Sequence, residues 1–127
     1  MFEGEYFNGK RWNGKGYNKK GIIEFEITNG NGKGKEYYNN GKLMFEGEYL
    51  NGEKNGIGKE YYYGILIFEG EYLNGKRNGK GKEYNDIGIL IFEGDYLNGE
   101  RWNGKFYENF NQCKIEVDYI NGKKMKK

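Results

Sequence analysis

The sequence has no proline, histidine, alanine or serine, and only one cysteine and one threonine, in 127 residues. Each shortage removes a class of protein. Alanine is the best helix former and glycine among the worst, so a chain with no Ala and 23 Gly is not a helical globule. Without His or Ser, the paired groups of nucleophilic catalysis cannot be assembled, and Cys113 has no imidazole to activate it. A single Cys rules out an internal disulfide and, with no His, gives no Cys/His cluster for a metal. No apolar run approaches the roughly 18 residues of a membrane-spanning helix. The opening "MFEGEYFNGK" lacks the basic and then apolar pattern of a secretory leader. The expected setting is therefore soluble, reducing and cytoplasmic. With 21 basic and 19 acidic residues the net charge is +2, too small to imply nucleic acid. Neither an enzyme nor a cofactor is expected.

The residues that are abundant suit strands and turns. There are 13 Tyr and 8 Phe, and 12 of the 23 Gly follow Asn. Aromatic side chains favour strands, whereas Asn-Gly tolerates the positive φ of a type I′ hairpin turn. Disordered chains, by contrast, are poor in aromatics. Hydrophobic residues make up 35% of the chain and aromatics 18%, so an aromatic-rich sheet one layer deep is expected rather than a thick aliphatic core.

The chain repeats itself. "FEGEYLNGKRNGKGKEY" at 68–84 stands beside "FEGEYLNGEKNGIGKEY" at 45–61 and "FEGDYLNGERWNGK" at 92–105. Units begin near Phe2, Phe25, Phe45, Phe68 and Phe92, with a partial unit from Ile115, at spacings of 23, 20, 23, 24 and 23 residues. A fixed period of this size marks a stacked repeat array, here one domain over 1–127. Within "LIFEGEYL", Leu66, Phe68, Gly70 and Tyr72 fall on one face of a strand and Ile67, Glu69, Glu71 and Leu73 on the other. Asn74-Gly75 and Asn78-Gly79 read as a turn, and "GKGKEY" as the returning strand. Each unit is thus predicted to be one β-hairpin, and the fold an all-β array of consecutive antiparallel hairpins in a single layer. The second unit, "FEITNGNGKGKEY", is four residues short at its turn and predicts a shorter hairpin. "WNG" at Trp12-Asn13-Gly14 and at Trp102-Asn103-Gly104 reads as a one-residue insertion relative to Arg77-Asn78-Gly79.

Gly4, Gly47, Gly70 and Gly94 lie between same-face aromatics, where a small residue lets neighbouring rings cross the backbone. Cys113, two residues before Ile115, falls on the same face and reads as a small apolar filler. The carboxylates Glu3/Glu5, Glu46/Glu48 and Glu69/Glu71 lie on the other face. A catalytic pair is made once, whereas a pair that recurs in unit after unit is a solvated face.

The phrase "FEGEYLNGKRNGKGKEY" resembles the MORN (membrane occupation and recognition nexus) repeat, with Phe68 where that family usually has Tyr and Tyr72 where it usually has Trp. "KEYYNNGKL" at 35–43 is similar to the related MORN-variant repeat. The resemblance covers nearly the whole chain; it departs in the second unit and in the last, where Val117 replaces the motif glycine. It implies a trough of antiparallel hairpins that serves as a scaffold, an assembly module or a membrane-proximal adaptor.

A single sheet covers neither of its faces, so a protein partner or a second copy is expected to dock. Tyr6, Tyr49, Tyr72 and Tyr96 are the candidate anchors on the aromatic face, and open edge strands offer self-pairing. Trp12 and Trp102 are either exposed anchors or local loop packing. The alternative is a peripheral membrane adaptor: Lys10, Arg11, Lys54, Lys76, Arg77 and Arg101 recur at the turns and would form a basic rim for anionic phospholipid headgroups or an acidic protein. In the cell, either reading allows cytoskeletal or membrane association.

Overall fold

The computed structural model describes residues 2–7, 10–17, 23–28, 30–110 and 113–125, with side chains described over 30–108 and 114–125. Among these residues there are twelve strands and no helix. They are β1 (Phe2–Phe7), β2 (Lys10–Tyr17), β3 (Ile23–Thr28), β4 (Asn31–Tyr37), β5 (Leu43–Leu50), β6 (Glu53–Tyr62), β7 (Ile65–Leu73), β8 (Lys76–Tyr84), β9 (Leu90–Leu97), β10 (Glu100–Phe110), β11 (Cys113–Ile120) and β12 (Lys123–Lys124). They form one open antiparallel sheet in which spatial order equals chain order. Every predicted unit is a hairpin of one odd and one even strand.

The hairpin turns have the chemistry that Asn-Gly predicts. Asn74 and Gly75 have φ of 50° and 84°, and the same pair of positive values recurs at Asn51-Gly52, Asn98-Gly99 and Asn121-Gly122. The second Asn-Gly is not part of the turn. Asn78 and Gly79 lie inside β8, at a bulge between the register pairs Tyr72–Arg77 and Gly70–Gly81. There the Glu71 carboxylate accepts the Lys80 amide at 2.6 Å, as Glu48 accepts that of Ile57 at 2.8 Å. Asn78 itself accepts the Asn98 amide at 3.1 Å, and Asn103 that of Asn121 at 3.0 Å, tying these bulges to the next hairpin's tip.

Register also revises the "WNG" units. Gly104 pairs with Gly94 as Gly81 pairs with Gly70, so Gly104 occupies the place of Gly81 rather than that of Gly79. Two residues lie between Arg101 and its row glycine and three between Arg77 and its own; the unit is shorter by one here, not longer. Gly14 pairs with Gly4 in the same way. The second unit has shorter strands, as predicted: six residues in β3 and seven in β4, against nine each in β7 and β8.

Glycines run across the sheet in one row: Gly34, Gly47, Gly58, Gly70, Gly81, Gly94 and Gly104 are successive register partners. A Cβ on Gly70 would sit 2.5 Å from the Lys80 carbonyl oxygen and 2.6 Å from the Gly81 Cα. One on Gly81 would enter the rings of Phe68 and Tyr96, at 2.7 and 2.9 Å. The rings lie directly over this row. Phe45, Phe68 and Phe92 are fully buried, and Tyr49, Tyr72 and Tyr96 nearly so. They alternate along the array in edge-to-face contact. Phe45 meets Tyr72 at 5.3 Å, Phe68 meets Tyr96 at 5.2 Å, and Phe92 meets Tyr119 at 5.4 Å between ring centroids, the T-shaped geometry that the aromatic quadrupole favours. Each contact joins one hairpin to the next, so the core is a chain of neighbour interfaces.

Candidate interaction face

On the aromatic face each ring pair carries a lid of paired charges. Glu60 accepts hydrogen bonds from the Tyr72 hydroxyl and from Arg77 Nε, the latter at 2.8 Å, and the Arg77 guanidinium lies 4.0 Å from the centroid of Phe68. One hairpin along, Glu83 accepts from the Tyr96 hydroxyl and from Arg101 at 2.9 and 2.6 Å, with Arg101 5.2 Å over Phe92. Glu36, Tyr49 and Lys54 form the corresponding set over Phe45, with Lys54 4.3 Å from its centroid. Lys124 pairs with Glu108 and lies 4.6 Å over Phe106, while the Tyr119 hydroxyl accepts from Arg101 at 3.2 Å. Planar cations stack on ring faces while their hydrogen bonds stay in plane, so one arginine can serve both contacts.

This lid shifts the titration of its members. Burial alone would raise the Glu60 and Glu83 carboxyls, but the hydrogen bonds from Arg77 and Tyr72, and from Arg101 and Tyr96, outweigh it and hold both below the ordinary value. Burial and the adjoining carboxylate drive the Tyr72 and Tyr96 phenols upward. The hydrogen bond to Glu83, against the penalty of burial, raises Arg101.

Three of the four tyrosines expected as docking anchors are therefore part of the core. Tyr49, Tyr72 and Tyr96 are 7, 5 and 3% exposed, covered by the Phe ring of their own strand and by the Glu–cation lid, and present no free surface to a partner. The basic rim is altered in the same way. Lys54, Arg77 and Arg101 begin the returning strands rather than sit in the turns, and alternation turns them onto the rings. Lys76 is exposed. Trp102 packs across the tip of the following hairpin, where a Cβ on Gly122 would meet its ring at 3.1 Å. The side chains of Tyr6, Lys10, Arg11, Trp12 and Cys113 lie outside the described residues.

The opposite face is open and patterned. Lys35, Glu46, Lys59, Glu69, Lys82, Glu93, Lys105 and Asp118 are successive register partners from β4 to β11, so one row across the sheet alternates in sign at every strand. Opposite charges directly across a strand pair stabilise it modestly. Three of the carboxylates are held by tyrosines on the same face: Tyr61 donates to Glu46 at 2.7 Å, Tyr84 to Glu69 at 2.6 Å and Tyr107 to Glu93 at 2.8 Å. Desolvation and then Glu46 push the Tyr61 phenol up to about 12; the bonds to Glu69 and Glu93, with desolvation, push Tyr84 and Tyr107 up to about 12 as well. Lys105 lies 3.5 Å from Asp118 and 3.7 Å from Glu116. The row borders a shallow depression of about 670 Å³, floored by the glycine backbone of β7–β10.

Beyond the charges, at the hairpin tips, the same face carries Leu50, Leu73, Leu97 and Ile120, one per hairpin, between 41 and 50% exposed. At its other margin Met44, Ile67 and Ile91 are half-buried. The sequence reading recognised the glutamates of this face but not the lysines opposite them. The signal was the Lys of "GKEY" at 35, 59 and 82, kept as "GKFY" at 105. Among the described residues no group of three or more His, Cys, Asp or Glu is gathered as metal ligands.

Fold and surface together define a hairpin-repeat protein of the all-β class, with one face closed by its own side chains and the other open. A scan against protein-family models finds no match for the chain, and a search of curated proteins finds no similar sequence.

Proposed function

We propose that this chain is a non-catalytic scaffold of MORN type, a repeat array that holds proteins together through the face opposite its aromatic core. The single observation that carries this reading is the stripe of Leu50, Leu73, Leu97 and Ile120. These are large apolar side chains, about half exposed, returning once per hairpin at one height on the sheet. Scattered exposed leucines need no explanation, but an apolar residue that returns on every second strand, between the register partners Glu53, Lys76 and Glu100, is a regular mixed row of the kind a docking surface uses. The motif likeness and the one-hairpin-per-unit architecture support the same assignment. Membrane attachment has less support, because Lys54, Arg77 and Arg101 each engage a glutamate and a ring within the chain.

The test uses a photoreactive side chain at position 73, with one at Asp86 in the loop after β8 as control. A discrete protein cross-link at 73 that is absent at 86, and that Leu97→Asp removes without changing the circular dichroism, is the expected outcome. Identical labelling from both positions would refute the docking face.

A further inference from the structure

We propose that the open face binds a second copy of this chain, face to face, about a two-fold axis parallel to the strands and midway between β7 and β8. This rests on the scaffold reading and names the chain itself as one partner. The argument is charge self-complementarity. A row that alternates in sign over an even number of strands, turned end for end onto itself, sets every charge against its opposite. Here β7 of one copy lies over β8 of the other, so Glu69 faces Lys82. The same rotation sets Lys59 against Glu93, Glu46 against Lys105, and Lys35 against Asp118. In the neighbouring row Glu71 faces Lys80, Glu48 faces Asn103, and the exposed Ile57 faces Asp95. No like charges meet in either set of pairs.

The apolar stripe obeys the same symmetry. Its members stand on β5, β7, β9 and β11, the odd strands only, so the rotation places each copy's leucines over the even strands of the other. The two stripes interleave at about 4.8 Å, one strand spacing. Ion pairs at a surface add only about 0.2–1 kcal/mol each, so they set register and orientation while the interleaved leucines add buried area. Eight strands at about 4.8 Å by five to nine residues at about 3.3 Å give a face of roughly 600–1,100 Å², bracketing the roughly 800 Å² per partner of a standard interface. The phenols of Tyr61, Tyr84 and Tyr107 hold three of the facing carboxylates in place beforehand.

The wild-type chain provides the test. An equimolar mixture of unlabelled and ¹⁵N-labelled protein is treated with a zero-length carbodiimide at low salt, and the dimer band is digested and mapped. Within one chain Lys35 and Asp118 are seven strands, about 34 Å, apart and cannot be joined. Isotopically mixed Lys35–Asp118 and Glu46–Lys105 links are expected, from a dimer that weakens as salt rises. Lys82→Glu should weaken association at least about tenfold in sedimentation, and adding Glu69→Lys should restore it. A dimer without these links, joined through edge strands instead, overturns the proposal. So does a chain that stays monomeric to about 100 μM, near −5.5 kcal/mol of association. If the chain stays monomeric yet another protein is captured at position 73, only self-association fails; if neither occurs, the scaffold reading falls with it.

Discussion

At the scale of single residues, the glycine of "FEGEY" has a steric role that its neighbours dictate. Gly70 faces the Gly81 backbone on one side and the Phe68 ring on the other, with its absent Cβ 2.6 and 2.9 Å from them. Glycine inside a strand normally weakens it; close backbone approach is the compensation. Gly70→Val is expected to lower the melting temperature sharply, by more than the roughly 1–3 kcal/mol typical of overpacking, because backbone rather than a flexible side chain stands in the way. Thermal unfolding with an unchanged midpoint would refute the packing role. This much was legible in the sequence, since a glycine between same-face aromatics reads directly from a period of two. The partners of those aromatics were not. Glu36, Glu60, Glu83 and Glu108 precede their cations Lys54, Arg77, Arg101 and Lys124 by 18, 17, 18 and 16 residues, and no fixed offset shows that they meet.

At the scale of the element, the hairpin is the interchangeable part. "GILIFEG" occurs at 64–70 and again at 88–94, so deleting residues 68–91 rejoins identical flanks. Tyr96 would then pack on Phe45 as Tyr72 does, and Arg101 would reach Glu60 as Arg77 does. Stability in such arrays is close to a sum of unit and neighbour terms. The shortened chain is expected to keep its β-type circular dichroism and a single cooperative transition at a lower midpoint; loss of the β signal would show that the hairpins are not equivalent. The misjudged "WNG" units belong to this scale too. Aligning Asn-Gly with Asn-Gly placed Gly104 beside Gly79, but a bulge consumes residues on one strand only, so pairing rather than motif spacing determines equivalence.

For the whole molecule, the summed charges set a window of pH. Glu60 and Glu83 are depressed in the folded chain, so their contribution is present above the ordinary value of 4.5 and is lost as pH falls through the lower folded value. Tyr61, Tyr84 and Tyr107 are raised to about 12, so the neutral phenol is the stabilised form. Their contribution is complete below the unfolded value of about 10 and disappears as pH rises through about 12. The melting temperature is expected to be nearly level between these limits and to fall beyond both. If replacing Tyr61, Tyr84 and Tyr107 by Phe removed tyrosinate absorbance that titrates near pH 10 in a chain still folded, the alkaline half would be contradicted.

The sequence by itself determined the local geometry: strands from alternation, type I′ turns from Asn-Gly, and one hairpin per unit from the period. These depend on residues close along the chain, whose side-chain spacing and φ preferences act without knowledge of the rest. Which face is closed was decided only by tertiary structure. Rings, glutamates and cations from adjoining hairpins assemble a core in a single layer, and Tyr49, Tyr72 and Tyr96, which promised a docking surface, are buried in it. The open face gained its alternating charge row in the same step, because register between strands, not order along them, is what sets lysine beside glutamate.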